Sequence, residues 1–104
     1  MMNLDAPAFE KKISDPEIII LDVRTPEEFK QAHILNARNL DIYSPYFSAD
    51  INDLDKTKSY AVYCRSGQRS QNACQIMAEL GLSNTFNLIG GITAWIDANK
   101  ATHN

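Results

Sequence analysis

Cysteine is scarce in this 104-residue chain, which has only Cys64 and Cys74. Two are too few for a disulfide scaffold. Pairing them would also consume the thiol around which the neighbouring sequence is organised, so a reducing compartment is expected. Histidine is equally scarce, with His33 and His103 alone. The two Cys and two His have no ligand spacing, so no metal site is expected. Long apolar runs are missing: Ile18 to Leu21 falls far short of the ~20 residues of a membrane span. Met1-Met2-Asn3-Leu4-Asp5 has no basic stretch followed by an apolar one, so no secretory signal is visible. A cytoplasmic location without a membrane partner is therefore expected. Positive charge is not in excess either. The net charge is −3, which leaves no general footprint for nucleic acid.

The chain has 44% hydrophobic and 22% charged residues, which excludes a disordered, collagen-like or coiled-coil chain. Its length suits one domain spanning 1–104, with a core over about 4–98 and a tail over 99–104. Neither repeats nor linkers interrupt it. The charge is unevenly spread: residues 1–56 hold 6 basic and 11 acidic side chains, and residues 57–104 hold 4 and 2. Two of the four later basic residues, Arg65 and Arg69, flank a glycine just after Cys64.

Helical and strand patterns alternate along the chain. Asp5 followed by Pro7 reads as a capped helix start, with the helix running to about Ile13. Ile18-Ile19-Ile20-Leu21-Asp22-Val23 is a continuous β-branched run, as in a strand covered on both faces. Thr25-Pro26-Glu27-Glu28 carries the marks of a capping box, opening a short helix to about Ala32. Ala37 to Leu40 is a weak strand pattern. Residues 41–57 read as irregular with one short helix, and Tyr60 to Tyr63 is a strong strand. A helix is predicted from about Ser70 to Leu80, stopped by Gly81. Thr85 to Ile89 is another strand, Gly90-Gly91 a turn, and Ile92 to Asn99 a helix with Trp95 facing the core. Such alternation implies an α/β domain with a mostly parallel sheet and helices on both faces.

The chemistry concentrates in Cys64-Arg65-Ser66-Gly67-Gln68-Arg69-Ser70, between a strand and a helix. A nucleophile at the C-terminal end of a strand stands where open α/β sheets place ligands. The loop can turn successive backbone N–H groups inward, and the helix N-terminus adds unpaired N–H groups with partial positive charge. Together with Arg65 and Arg69 they should favour the Cys64 thiolate and receive an anion. Gly67 allows the turn where a Cβ would obstruct it. Cys74 falls beside an apolar helical stripe and reads as a packed thiol, a resolving role being the alternative.

At four places the chain resembles a single rhodanese domain, a sulfurtransferase. They are Leu21-Asp22-Val23-Arg24-Thr25-Pro26-Glu27-Glu28-Phe29, His33-Ile34 with Ala37-Arg38-Asn39, the Cys64–Ser70 loop, and Asn87-Leu88-Ile89-Gly90-Gly91-Ile92-Thr93-Ala94-Trp95. The resemblance spans residues 4 to 98. It implies a rhodanese-like α/β sandwich with about five strands, with Cys64 as the catalytic cysteine. A small thiosulfate-like anion would give its outer sulfur to Cys64, leaving sulfite. The persulfide would pass that sulfur to cyanide or a thiol, possibly on a protein. No cofactor beyond this covalent intermediate is implied. Arg65, Ser66, Gly67, Gln68, Arg69 and Ser70 would cradle the persulfide, with Arg65 and Arg69 holding the donor's oxyanion. His33 takes a structural role near the Asp22/Arg24 segment, and those two residues read as a buried polar network. Two positions depart from the family pattern: Ala32 and Asn36 stand where glycine is usual. Asn tolerates left-handed backbone, so Asn36 should keep its turn. A monomer or a homodimer is expected.

Other readings compete. A cysteine phosphatase or arsenate reductase uses a similar anion loop, but those show Cys-x5-Arg. Arg69 gives Cys-x4-Arg, a smaller cradle without an acidic residue to protonate a leaving group. A non-catalytic regulatory module, or a sulfur carrier to a protein partner, also remains open.

Overall fold

Parallel strands need long crossovers, and this chain supplies them between every pair of sheet neighbours. In the computed structural model, which describes residues 1–104, β1 (Met2–Leu4), β2 (Ile18–Asp22), β3 (Arg38–Asn39), β4 (Ser59–Tyr63) and β5 (Thr85–Leu88) form one sheet. The order is β1-β5-β4-β2-β3, and all four pairings are parallel. Five helices complete the chain: α1 (Ala6–Ile13), α2 (Pro26–Gln31), α3 (Phe47–Asn52), α4 (Gln68–Glu79) and α5 (Gly91–Asp97).

The central strands are apolar at successive positions because both sheet faces are covered. Tyr60 and Val62 of β4, with Cys64 beyond it, pack with Phe47 and Ile51 of α3 and Ala73, Cys74 and Met77 of α4. Ala61 and Tyr63 point the other way, into a second cluster with Phe9 of α1 and Ile92 and Trp95 of α5. Period-two alternation of side chains thus feeds two cores from one strand.

This topology also selects one end of the sheet. After β2 the chain moves outward to β3; after β4 it moves the opposite way to β5. The C-terminal ends of neighbouring β2 and β4 therefore border a crevice, the switch point at which open parallel sheets bind ligands. Cys64 follows β4 there, and Arg24, Thr25 and Glu28 follow β2.

The expected caps are present. Asp5 accepts from the Ala8 N–H at 3.0 Å. Thr25 and Glu28 form a reciprocal capping box on α2. Asn36 lies at φ 70°, as its left-handed tolerance predicts. Ala32 lies at φ −167°, extended backbone that needs no glycine. Three features differ from the sequence reading. β1 forms although Met2–Leu4, three residues without a β-branched member, carry no strand pattern in the sequence. α4 begins at Gln68, two residues before the predicted Ser70. The last residues, read as a tail, fold back: Ala101 O accepts from Trp95 Nε1 at 2.8 Å, and His103 and His33 exchange two backbone hydrogen bonds of 2.8 Å.

Candidate active site

β4 delivers Cys64 to the crevice, and the chain must reverse at once to enter α4. Gly67 makes that reversal at φ 109°, a region costly for any residue with a Cβ. The turn brings Gly67 N–H to 3.0 Å from Cys64 Sγ, and Ser70 Oγ lies 3.4 Å from the same sulfur. Ser70 Oγ also donates to Gly67 O at 3.1 Å. A hydroxyl carries one hydrogen. With the thiol protonated, the S–H can give to Ser70 Oγ; with the thiolate formed, the hydroxyl hydrogen can turn to sulfur.

Cys64 is 1% exposed. Burial pushes its thiol up. The Ser70 hydroxyl and the N–H groups of Ser70, Gly67 and Ser66 outweigh it, so the thiol lies below its ordinary value. Donors that favour the charged form can exceed the desolvation penalty when several converge on one atom. The loop itself, more than its arginines, supplies the named donors.

The loop is held from behind by α5. Ile92 N–H donates to Cys64 O at 2.9 Å and Thr93 N–H to Arg65 O at 3.1 Å. This approach leaves no room at Gly91. A Cβ there would lie 2.4 Å from the Arg65 carbonyl and 2.5 Å from Cys64 O. The Gly90-Gly91 pair, read from sequence as a turn, thus fixes the carbonyl side of the loop.

The two arginines have different surroundings. Arg65 is exposed and borders a cavity of about 320 Å³ with Arg24, Glu28 and Thr93. Arg69 points both terminal nitrogens at Glu28: Nη1 donates to Oε1 at 2.7 Å and Nη2 to Oε2 at 2.9 Å. Its guanidinium also stands 5.8 Å from the centre of the Tyr43 ring. Its side-chain hydrogen bond to Glu28 raises the Arg69 pKa, and the same pair holds Glu28 at about 2. Neither Glu28 nor Tyr43 stands out in the sequence as a site residue; Glu28 is already accounted for there by its cap. Ser66, Gly67 and Gln68 line a second cavity of about 450 Å³ with Asn87. Asn87 is 1% exposed and leaves its Oδ1 without a partner.

Asp22 and Arg24 form a buried pair behind the loop. Arg24 Nη2 meets Asp22 Oδ2 at 2.6 Å and Nε meets Oδ1 at 3.0 Å. Arg24 Nη2 also donates to Ala32 O, and the guanidinium lies 5.6 Å from the Tyr63 ring centre. Asn39 Nδ2 ties the Asp22 and Arg24 carbonyls together. This network joins β2, β3 and the residue preceding Cys64. His33 lies beside this network and makes no hydrogen bond to it: it directly follows Ala32, whose carbonyl Arg24 holds. Its ring stacks on Phe29 at 3.9 Å, and Nδ1 pairs with Phe29 O at 2.9 Å. Ala32 breaks from the helix into extended backbone, and the chain turns His33 back over the last turn of α2, where Phe29 receives its ring. Cys74 is a free, buried thiol in the α3/α4 core. No group of three His, Cys, Asp or Glu side chains is placed to hold a metal ion, and no helix is long and apolar enough to cross a membrane.

Comparison with known proteins agrees with this geometry. The rhodanese-like domain model matches residues 5–98. A sulfurtransferase of Allochromatium vinosum is 33% identical over 97 residues, covering 91% of this chain and 89% of the relative. The thiosulfate sulfurtransferase GlpE of Coxiella burnetii is 34% identical over 90 residues, covering 81% and 82%. Among solved structures, a rhodanese-related protein of Thermoplasma volcanium superposes with a TM-score of 0.80 at 28% identity, covering 99% of this chain and 98% of that one.

Proposed function

The chain belongs to the rhodanese-like domain family, and we propose that it is a sulfurtransferase that carries sulfane sulfur as a persulfide on Cys64. The observation that carries this reading is the Cys64 sulfur at the base of an N–H-lined turn, with its thiolate favoured despite burial. The thiolate attacks the outer sulfur of a small anionic donor such as thiosulfate. The donor's S–S bond breaks and its electron pair leaves with sulfite. An acceptor thiolate or cyanide then attacks the outer persulfide sulfur. The Cys64 S–S bond breaks, and its electron pair returns to Cys64 as thiolate. The loop donors that stabilise the thiolate serve again for the terminal sulfur of the persulfide. The persulfide is the only group carried between the half-reactions, and Arg65 at the loop mouth meets the donor's sulfonate.

Proton chemistry favours this reading over a phosphatase. Sulfite departs as an anion and needs no general acid, whereas an alcohol leaving a phosphate ester does. Of the carboxylates near the loop, Glu28 is ionised and committed to Arg69, and Asp22 is buried against Arg24. Both are held by arginines.

Intact-mass spectrometry after thiosulfate treatment tests the proposal. The protein should gain one sulfur, about 32 Da, that dithiothreitol removes. Cys64→Ser should abolish the adduct and Cys74→Ser should keep it. Persistence in Cys64→Ser would place the sulfur elsewhere.

A further inference from the structure

α2 buries no residue, yet its first turn reaches the active-site loop through one carboxylate. Glu28 Oε1 accepts from Thr25 N–H at 3.2 Å, from Thr25 Oγ1 at 3.1 Å and from Arg69 Nη1 at 2.7 Å; Oε2 takes Arg69 Nη2 at 2.9 Å. The Glu28 and Arg69 side chains are 27% and 19% exposed, so neither swings freely in water. Capping needs only the Thr25 side of this carboxylate. The two-point contact with Arg69, 41 residues away in sequence, is additional. It spans the crevice between the ends of β2 and β4.

Arginine has five N–H donors in a rigid fork. Glu28 takes two, which fixes the plane of the group and leaves three. Unheld, a long side chain samples many rotamers and offers no oriented donor. Arg69 sits in the first turn of α4, directly after the loop that carries Cys64. Arg65, by contrast, has no side-chain hydrogen bond or ion pair, and its end of the loop is exposed.

We propose that Glu28 is a positioning residue for sulfur transfer: held by the α2 cap, it orients the Arg69 guanidinium beside the Cys64 loop and offsets its charge, leaving Arg65 as the unpaired cation for an anionic donor. The proposal rests on the sulfurtransferase reading. It divides the two arginines, one supplying geometry at a nearly neutral pair, the other supplying charge.

Single-turnover persulfide formation from thiosulfate tests the geometric part, using Glu28→Gln, Arg69→Gln and the double variant. Gln is also a capping-box residue, so α2 keeps its cap, and an unchanged helical circular dichroism spectrum of the folded variant verifies this. At saturating thiosulfate Glu28→Gln should slow the step at least about tenfold, as misplacement of a positioned group does. The double variant should be no slower than Arg69→Gln alone, because Glu28 acts through Arg69. A Glu28→Gln rate within twofold of the unmodified protein would overturn the proposal. So would losses that multiply in the double variant, which would mean Glu28 acts independently of Arg69.

A second measurement needs no sulfur transfer. The ratio of Cys64 alkylation by iodoacetate to that by iodoacetamide reports charge at the loop mouth. Glu28→Gln should raise it several-fold at low salt and little at high salt. An unchanged ratio at low salt would overturn the charge-offsetting role. If the unmodified protein forms no persulfide with any sulfane donor, the sulfurtransferase reading fails, and this ratio alone judges the pairing of Glu28 with Arg69 at the mouth.

Discussion

Cys64 and Cys74 stand ten positions apart, one before α4 and one inside it, and each is 1% exposed. Their thiols move in opposite directions. Burial pushes the Cys74 thiol up. Cys64 feels the same penalty and still lies below the ordinary value, because a hydroxyl and three N–H groups converge on its sulfur. Inside a helix the N–H groups are spent on the helix's own carbonyls. In the turn before it, the first N–H groups have no such partner and can be aimed elsewhere. Equal burial therefore says nothing about reactivity; the local supply of donors decides it.

The largest break in this comparison should come from behind the loop. Gly91→Ala drives a Cβ into the Arg65 and Cys64 carbonyls, so the loop or α5 must shift. Persulfide formation should fall about a hundredfold, and the Cys64 alkylation inflection should rise toward that of a free thiol. Cys74, on the opposite face of the sheet from α5, should alkylate as before under denaturant titration. A Gly91→Ala protein with unaltered Cys64 kinetics would show that α5 does not hold the donors in place.

Removal of one donor should have a smaller effect. In Ser70→Ala the thiolate loses one hydrogen bond to a charged acceptor, worth about 1.5 kcal/mol or slightly more. The Cys64 inflection should rise by about one pH unit. Alkylation and sulfur transfer should then fall up to about tenfold at neutral pH, and converge with the unmodified protein at a pH above both inflections. In the unmodified protein the rate should rise with pH through an inflection below the ~8.5 of a free cysteine and then level off. An inflection at or above that value would mean burial wins at Cys64 as it does at Cys74.

The smallest effect sharpens the contrast from the other side. Cys74→Ala removes a packed sulfur from the α3/α4 core and should cost roughly 1–2 kcal/mol of stability, read from chemical denaturation. Its Cys64 inflection should stay where it is. A shift would reveal coupling between the two thiols through α4.

Acid stability tests the Glu28 pairing in the folded protein. Glu28 is held at about 2, against an ordinary value of 4.5. A depressed carboxyl contributes stability that is complete above its unfolded value and is lost as pH falls through the folded one. Between pH 4.5 and 2 the unmodified protein should therefore lose stability more steeply than Glu28→Gln. Parallel acid-unfolding curves would mean that Glu28 gains nothing from Arg69 on folding.

The parts of the site that were legible are those made by residues close in sequence. The Cys64–Ser70 loop, the Gly67 turn and the Thr25–Glu28 cap each involve contacts within a few positions, and residue type together with spacing reports them. The same capping box concealed the second role of Glu28. Its Glu was fully explained by Thr25, and nothing nearby announces a partner at Arg69. Gly91 was legible only as a turn, since the atoms that exclude its Cβ belong to a loop some 26 positions earlier. The contacts of His33 were not legible, since its ring meets Phe29 and not the side chains of Asp22 and Arg24.

By itself the sequence determined the alternation of elements, the two-faced central strands, the place of Cys64 at a strand end and the turn that follows it. These rest on local propensity, side-chain period and the conformational freedom of a few residues, and all act within a turn or two of chain. The tertiary structure alone decided the all-parallel strand order, the edge strand β1, the return of the C-terminal residues to His33 and Trp95, and the difference between the two arginines. Each depends on which surfaces meet after long loops close. In Arg69 and Arg65 the side chains are chemically identical and four residues apart. One is matched by a carboxylate brought from the end of another strand, and the other is left to water.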